Sequence, residues 1–240
     1  MLNPLKQFVI KPIISLKIIQ KEIIITNSTF TLVLTYICIF SLIKISTKNI
    51  YLVPNIIQSS SEILFNFINN MLLNTSGKKS SIFFPHIFSI FILILISNFL
   101  GMFPLNFSTT SHISITFALA ITIFLLITIV GFIRHGMNYF TILLPKATPV
   151  LLSPLIFFIE ILVYFSRPIS LSIRLCANIT AGHVVLKVIS TLVIMSGLLG
   201  ILPFFVLAIL TGFEMIIAML QAYIFSILTC VYLNDAINLH

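Results

Sequence analysis

The chain has 240 residues, of which 59% are hydrophobic and 8% charged, against roughly 25% charged in an ordinary soluble domain. With a mean hydropathy of +1.21, this excludes a soluble domain and predicts an all-α, polytopic membrane protein, because backbone groups in hydrocarbon must be satisfied within each long apolar run. Thirteen Lys and Arg against five acids give a net charge of +8; the bases sit largely in short loops and at segment ends, which suits membrane topology and argues against nucleic-acid binding.

Residues 1–28 mix Lys6, Lys11, Lys17 and Lys21 with isoleucines and read as a basic amphipathic lead-in. The opening Met-Leu-Asn-Pro lacks a compact apolar core ending in a small-residue cleavage site, so no signal peptide is expected. The abundance of Ile, Val, Phe and Thr does not argue for strands, since the apolar runs are long and do not alternate. A first span fits 29–46. Residues 55–76 alternate Ile63, Leu64, Phe67, Ile68, Met71 and Leu72 with Gln58, Glu62, Asn66 and Asn69, the pattern of an amphipathic helix lying along a surface. Further spans fit 82–103 and 113–133.

The remainder is predicted to be a tilted helical hairpin, 149–199 and 202–233, turning near Gly197, Gly200 and Pro203. The whole chain reads as one membrane domain. Lys44, Lys48, Lys78, Lys79, Arg134 and Lys146 then share one side, which the positive-inside rule makes the inner side. The N-terminal lysines fall on the other side, against the rule. Cys38, Cys176 and Cys230 lack CxxC spacing and read as small buried hydrophobes.

The long segment carries Glu160, Arg167, Arg174, His183 and Lys187 within an apolar setting. A guanidinium there is expensive and stays protonated, so Arg174 is a functional candidate by default. On a helix, Glu160 lies about 21 Å before Arg174 on nearly the same face, with Arg167, Ser170, Asn178 and Ala181 within about 40° of that line. His183 lies about 14 Å beyond, on roughly the opposite face. In the last segment Glu214, Ala218, Gln221 and Phe225 share a face within about 40°. The hairpin therefore places His183 with Glu214 toward the outer side, Glu160 toward the inner side, and Arg174 between them with Gln221 at its level. Carboxylates and imidazoles load and release protons, and buried ones line proton relays. An arginine between two such stations would repel a passing proton and attract an ionised carboxylate, which must come from another chain.

At these residues the sequence resembles subunit a of F-type ATP synthase. The resemblance rests on Ser170-Leu-Ser-Ile-Arg-Leu-Cys-Ala-Asn-Ile-Thr-Ala-Gly-His183, on Ser97-Asn-Phe-Leu-Gly-Met-Phe-Pro104, on Phe107-Ser-Thr-Thr-Ser-His112 and on Leu220-Gln-Ala-Tyr-Ile-Phe-Ser-Ile-Leu-Thr229. It covers nearly everything from about residue 50 onward. It implies that Arg174 faces the carboxylate of the rotating c-ring, with Asn178 and Gln221 as polar neighbours. It also implies that Glu160 belongs to an inner half-channel, that His183 and Glu214 belong to an outer one, and that Asp235 is an acid of the C-terminal tail. The His183 and Glu214 order, and the ending Tyr232-Leu-Asn-Asp-Ala-Ile-Asn-Leu-His240, are similar to mitochondrial forms, which implies the mitochondrial inner membrane. Implied partners are the c-ring, other Fo and peripheral-stalk subunits and lipid, with no cofactor, no metal and no catalysis by this chain alone. Cys176 departs from the family pattern at a packing position.

Plainer readings stand beside these. Arg174 could be a structural charge; Glu160 and Glu214 could balance Arg167 or Lys187; His86, His112 and His135 sit at span ends as interfacial residues. A self-contained transporter would need an internal repeat, which the chain lacks. A simple assembly subunit would not need two acid stations around a buried arginine.

Overall fold

The computed structural model describes residues 8–18, 21–48, 51–103, 107–143, 152–196 and 200–238. Lys6, Lys146, the expected helix start at 149–151 and the expected turn at 197–199 lie outside the described residues. Six α-helices dominate: α1 Asn27–Lys48, α2 Ile56–Ser76, α3 Phe84–Gly101, α4 Ile113–His135, α5 Ser153–Met195 and α6 Ile201–Ile237. Among the described residues, five stretches are long and apolar enough to cross a membrane, and α2 is not one of them. The protein is an all-α, multi-pass membrane protein.

The lead-in departs from expectation. The basic amphipathic lead-in, where no strands were expected, forms two: β1 (Pro12–Ile18) and β2 (Lys21–Thr26) pair antiparallel, with Pro12 opposite Thr26 and Lys17 opposite Glu22. The rule that apolar runs become helices holds for segments that cross hydrocarbon. These runs are six and seven residues long, and β-branched isoleucines favour the extended chain once that constraint is lifted. Asn27 ties the hairpin to α1: its side chain accepts from the Lys11 N–H at 3.1 Å and donates to the Val9 carbonyl at 3.1 Å.

Contacts gather the chain into two compact units, each interleaved from three stretches. The first comprises Met1–Asn49, Ile92–Ile115 and Leu175–Ala222. Within it Ile94, Asn98, Leu175, Ile179 and Ala218 are buried. The second comprises Ile50–Phe91, Thr116–Arg174 and Tyr223–His240. Here α2 buries Ile68, Met71, Leu72 and Ser76, residues recurring at one helical face. The Ser76 hydroxyl donates to the Cys230 carbonyl of α6 at 2.8 Å, and the Phe67 ring meets Tyr223 with centroids 5.8 Å apart. Asn55 caps the start of α2 by accepting from the Ile56 N–H at 2.7 Å, and Gly77, at φ 71°, ends it in the left-handed region that favours glycine.

Helix α5 continues through Pro168 without interruption. Glu160, Arg174, Asn178 and His183 are therefore strung along one helix. On α6 the buried face runs Glu214, Ala218, Gln221, Ala222, Phe225, Thr229, Cys230 and Leu233, a spacing of three or four that leaves the other face, including Phe213, Ile216 and Leu220, exposed.

Candidate functional site

In the first unit α5 and α6 meet at two ionisable groups. Glu214 is 4% exposed, and its Oε1 lies 3.7 Å from His183 Nδ1. That separation exceeds a direct hydrogen bond. Neither carboxylate oxygen of Glu214, nor His183 Nε2, has a hydrogen-bond partner among the described residues. Buried polar groups are rarely left so, and buried carboxyl and imidazole groups can take up and release protons. Gly182 makes the meeting possible, because a Cβ there would lie 2.7 Å from Glu214 Oε1. Gly182→Ala should push the carboxyl off His183 and cost about 1–3 kcal/mol of packing. We expect it to slow proton uptake by the assembled complex with the subunit still incorporated; an unchanged uptake rate in proteoliposomes would show that the spacing of the pair is immaterial.

Other groups frame the pair. The ring of Phe8 stands edge-on to His183, with centroids 6.4 Å apart at 71°. Asn98 of α3, 1% exposed, donates to the Ala218 carbonyl at 3.3 Å, one turn along α6 from Glu214, while its own carbonyl oxygen is unpartnered. Asn98 did not stand out as a site residue in the sequence; the signal was there, since a carboxamide inside so apolar a helix needs a reason. His112 is more than an interfacial residue. It stacks on Phe107 at 4.8 Å, and burial lowers its pKa while a hydrogen bond from the imidazole to the Phe8 backbone opposes that shift. Cys176, read as a buried hydrophobe, is half-buried, and its thiol donates to the Ser111 carbonyl at 2.8 Å, joined there by Thr180 at 3.4 Å.

In the second unit Arg174 is half-buried and has no ion pair among the described residues. On the same helix α5, Ser170 of this unit is exposed, and so are Ala177, Asn178 and Ala181 of the first unit. In the first unit, Gln221 is buried on the α6 face that also carries Glu214. Glu160 is half-buried, with no ion pair among the described residues.

Arg167 pairs with Asp235 at 3.2 Å. This removes the reading in which Glu160 serves to balance Arg167, and it gives the tail acid a partner 68 residues away. His135, expected to be merely interfacial, bonds the Ile237 carbonyl at 3.0 Å and ties the end of α4 to the end of α6.

Fold and site together define a polytopic helical membrane protein that carries acids, an imidazole and an arginine with no ion pair among the described residues within its spans. The family model described as ATP synthase A chain matches residues 28–234. The chain is 44% identical over 239 residues to a protein of Rhodospirillum rubrum named ATP synthase subunit a, covering 99% of each; a second Rhodospirillum rubrum sequence of that name gives the same figures. The chain belongs to the ATP synthase A chain family. The likeness reaches further toward the N-terminus than the motifs beyond residue 50 had suggested. These relatives are bacterial, so they support the family without the mitochondrial form.

Proposed function

We propose that this chain is the proton-translocating stator subunit of an ATP synthase Fo sector, working against a ring of carboxylate-bearing subunits. The observation that carries the proposal is Arg174, a half-buried guanidinium with no acid of its own among the described residues, set on a stripe of short exposed side chains. A charge in that setting is tolerable when a carboxylate from outside the chain meets it.

Protons enter at His183 and Glu214 and neutralise a ring carboxylate, which then turns through lipid. After nearly a full turn they leave past Glu160. Arg174 holds the deprotonated carboxylate in transit and separates the two half-channels, with Asn178 and Gln221 as its polar neighbours; Asp235 is an acid of the C-terminal tail. One charge crossing 100 mV corresponds to about 2.3 kcal/mol, which drives the rotation. Nucleotide chemistry belongs to other subunits, and no cofactor enters at any step. The remaining Fo and peripheral-stalk subunits and lipid cover the exposed apolar faces. We place the complex in the mitochondrial inner membrane, on the order of His183 and Glu214 and on the Tyr232–His240 ending.

Disulfide trapping in the assembled complex tests the ring-facing stripe. Ser170→Cys and Ala181→Cys should cross-link to cysteines placed beside the ring carboxylate, and Ile169→Cys, exposed on a different face of α5, should not. Equal cross-linking from all three positions, or none from the first two, would remove the assignment.

A further inference from the structure

Arg167 and Asp235 belong to a cluster that the proposed path does not explain. On α5, Tyr164 and Arg167 are three residues apart; on α6, Tyr232 and Asp235 are too, so each charge carries an aromatic on its own face. The guanidinium lies 4.8 Å from the Tyr232 ring centroid and 5.8 Å from that of Tyr164, while donating to Asp235 at 3.2 Å. Two rings and a carboxylate thus fix its position.

The Tyr164 hydroxyl is held in turn, by Thr128 Oγ1 at 2.8 Å and by the Tyr139 hydroxyl at 3.1 Å. Tyr139 reaches that point only because residue 131 is glycine: a Cβ at Gly131 would overlap its ring. Tyr139, Tyr164, Arg167, Tyr232 and Asp235 line a cavity of about 20 Å³, room for about one water.

The place of this cluster on α5 decides what it does. Glu160, Arg167 and Arg174 recur every seven residues, so they lie on one stripe about 10 Å apart. Arg167 stands midway between the arginine that meets the ring and the acid that receives the leaving proton. Left bare there, its charge would repel that proton and compete with Arg174 for the ring carboxylate. A bare Asp235 would trap the proton instead. Paired, the two cancel.

We propose that Arg167 is a positioning residue for proton release: its pairing with Asp235, fixed by Tyr164 and Tyr232, removes two bare charges from the stretch between Arg174 and Glu160 and orders a one-water pocket beside the Tyr139 and Tyr164 hydroxyls. This rests on the reading of Glu160 as the release-side acid.

The test is ATP-driven proton pumping by the whole purified complex in liposomes. Arg167→Gln and Asp235→Asn should each lower the rate at least about tenfold, each leaving one bare charge. Arg167→Lys, which keeps the pair, should stay within about threefold of the unmodified complex, and Arg167→Gln with Asp235→Asn should recover above either single change. Normal pumping by both single variants overturns the proposal. So does a double variant no faster than the slower single, because the pair would then act through structure or through a proton carried on Asp235 itself. Arg174→Ala is measured in parallel: pumping retained there would sink the stator reading and leave the Arg167 result to be judged on its own.

Discussion

Arg174→Ala is expected to abolish ATP-driven proton pumping by the assembled complex and to open a passive proton leak. The expectation follows from what the side chain has and lacks. It is half-buried on a helix built to cross a membrane, and among the described residues no acid balances it. An arriving ring carboxylate would be that partner. Two unit charges 4 Å apart attract by about 4 kcal/mol at an effective dielectric of about 20, on the order of a thousandfold in occupancy. Alanine removes that hold and also removes the fixed positive charge that keeps a proton from passing straight between the stations. The two losses have separate readouts: pumping with ATP, and proton flux down a gradient without it. Lysine is a poor substitute, because a compact ammonium lacks the flat fork that meets a carboxylate through two donors. Coupled pumping at the normal rate in the alanine variant would refute the role.

How much of this was legible in the sequence depends on what each feature required. The spans were legible because hydrocarbon leaves a backbone few options, and the 3.6-residue period then placed Glu160, Arg174 and His183 along α5 and put Glu214, Ala218, Gln221 and Phe225 on one face. All four of these α6 residues are buried. The β1–β2 hairpin was not legible, because the same rule was applied to isoleucine runs too short to cross anything. The meeting of Arg167 with Asp235 was also hidden. It joins helices across 68 residues, and it depends on their rotation about their own axes, which no single-helix periodicity contains. Asn98 itself was visible as a carboxamide in an apolar helix, but its partner was hidden for a similar reason: the bond to the Ala218 carbonyl spans 120 residues. Nothing in the sequence marks Gly131 or Gly182 as special; the Tyr139 ring and the Glu214 carboxylate fill the space that a Cβ would take there.

Glu214→Gln separates proton entry from the arginine's hold on the ring. The substitution keeps shape and volume but yields a group that cannot take up or release a proton. Glu214 is 4% exposed and lies 3.7 Å from His183 Nδ1, with both carboxylate oxygens unpartnered among the described residues. A new amide therefore displaces no direct hydrogen bond, and the cost to folding should be small. Positioned acid–base groups contribute about 10²–10⁴-fold, so uptake from the outer side should fall by about a hundredfold and its pH dependence should change. Because Arg174 is untouched, the passive leak expected of Arg174→Ala should not appear. Entry slowed without leak is the signature of a damaged half-channel, whereas lost pumping with leak is that of a missing divider. A translocation rate and pH dependence both unchanged in Glu214→Gln would take this carboxyl off the path and leave His183 to act without it.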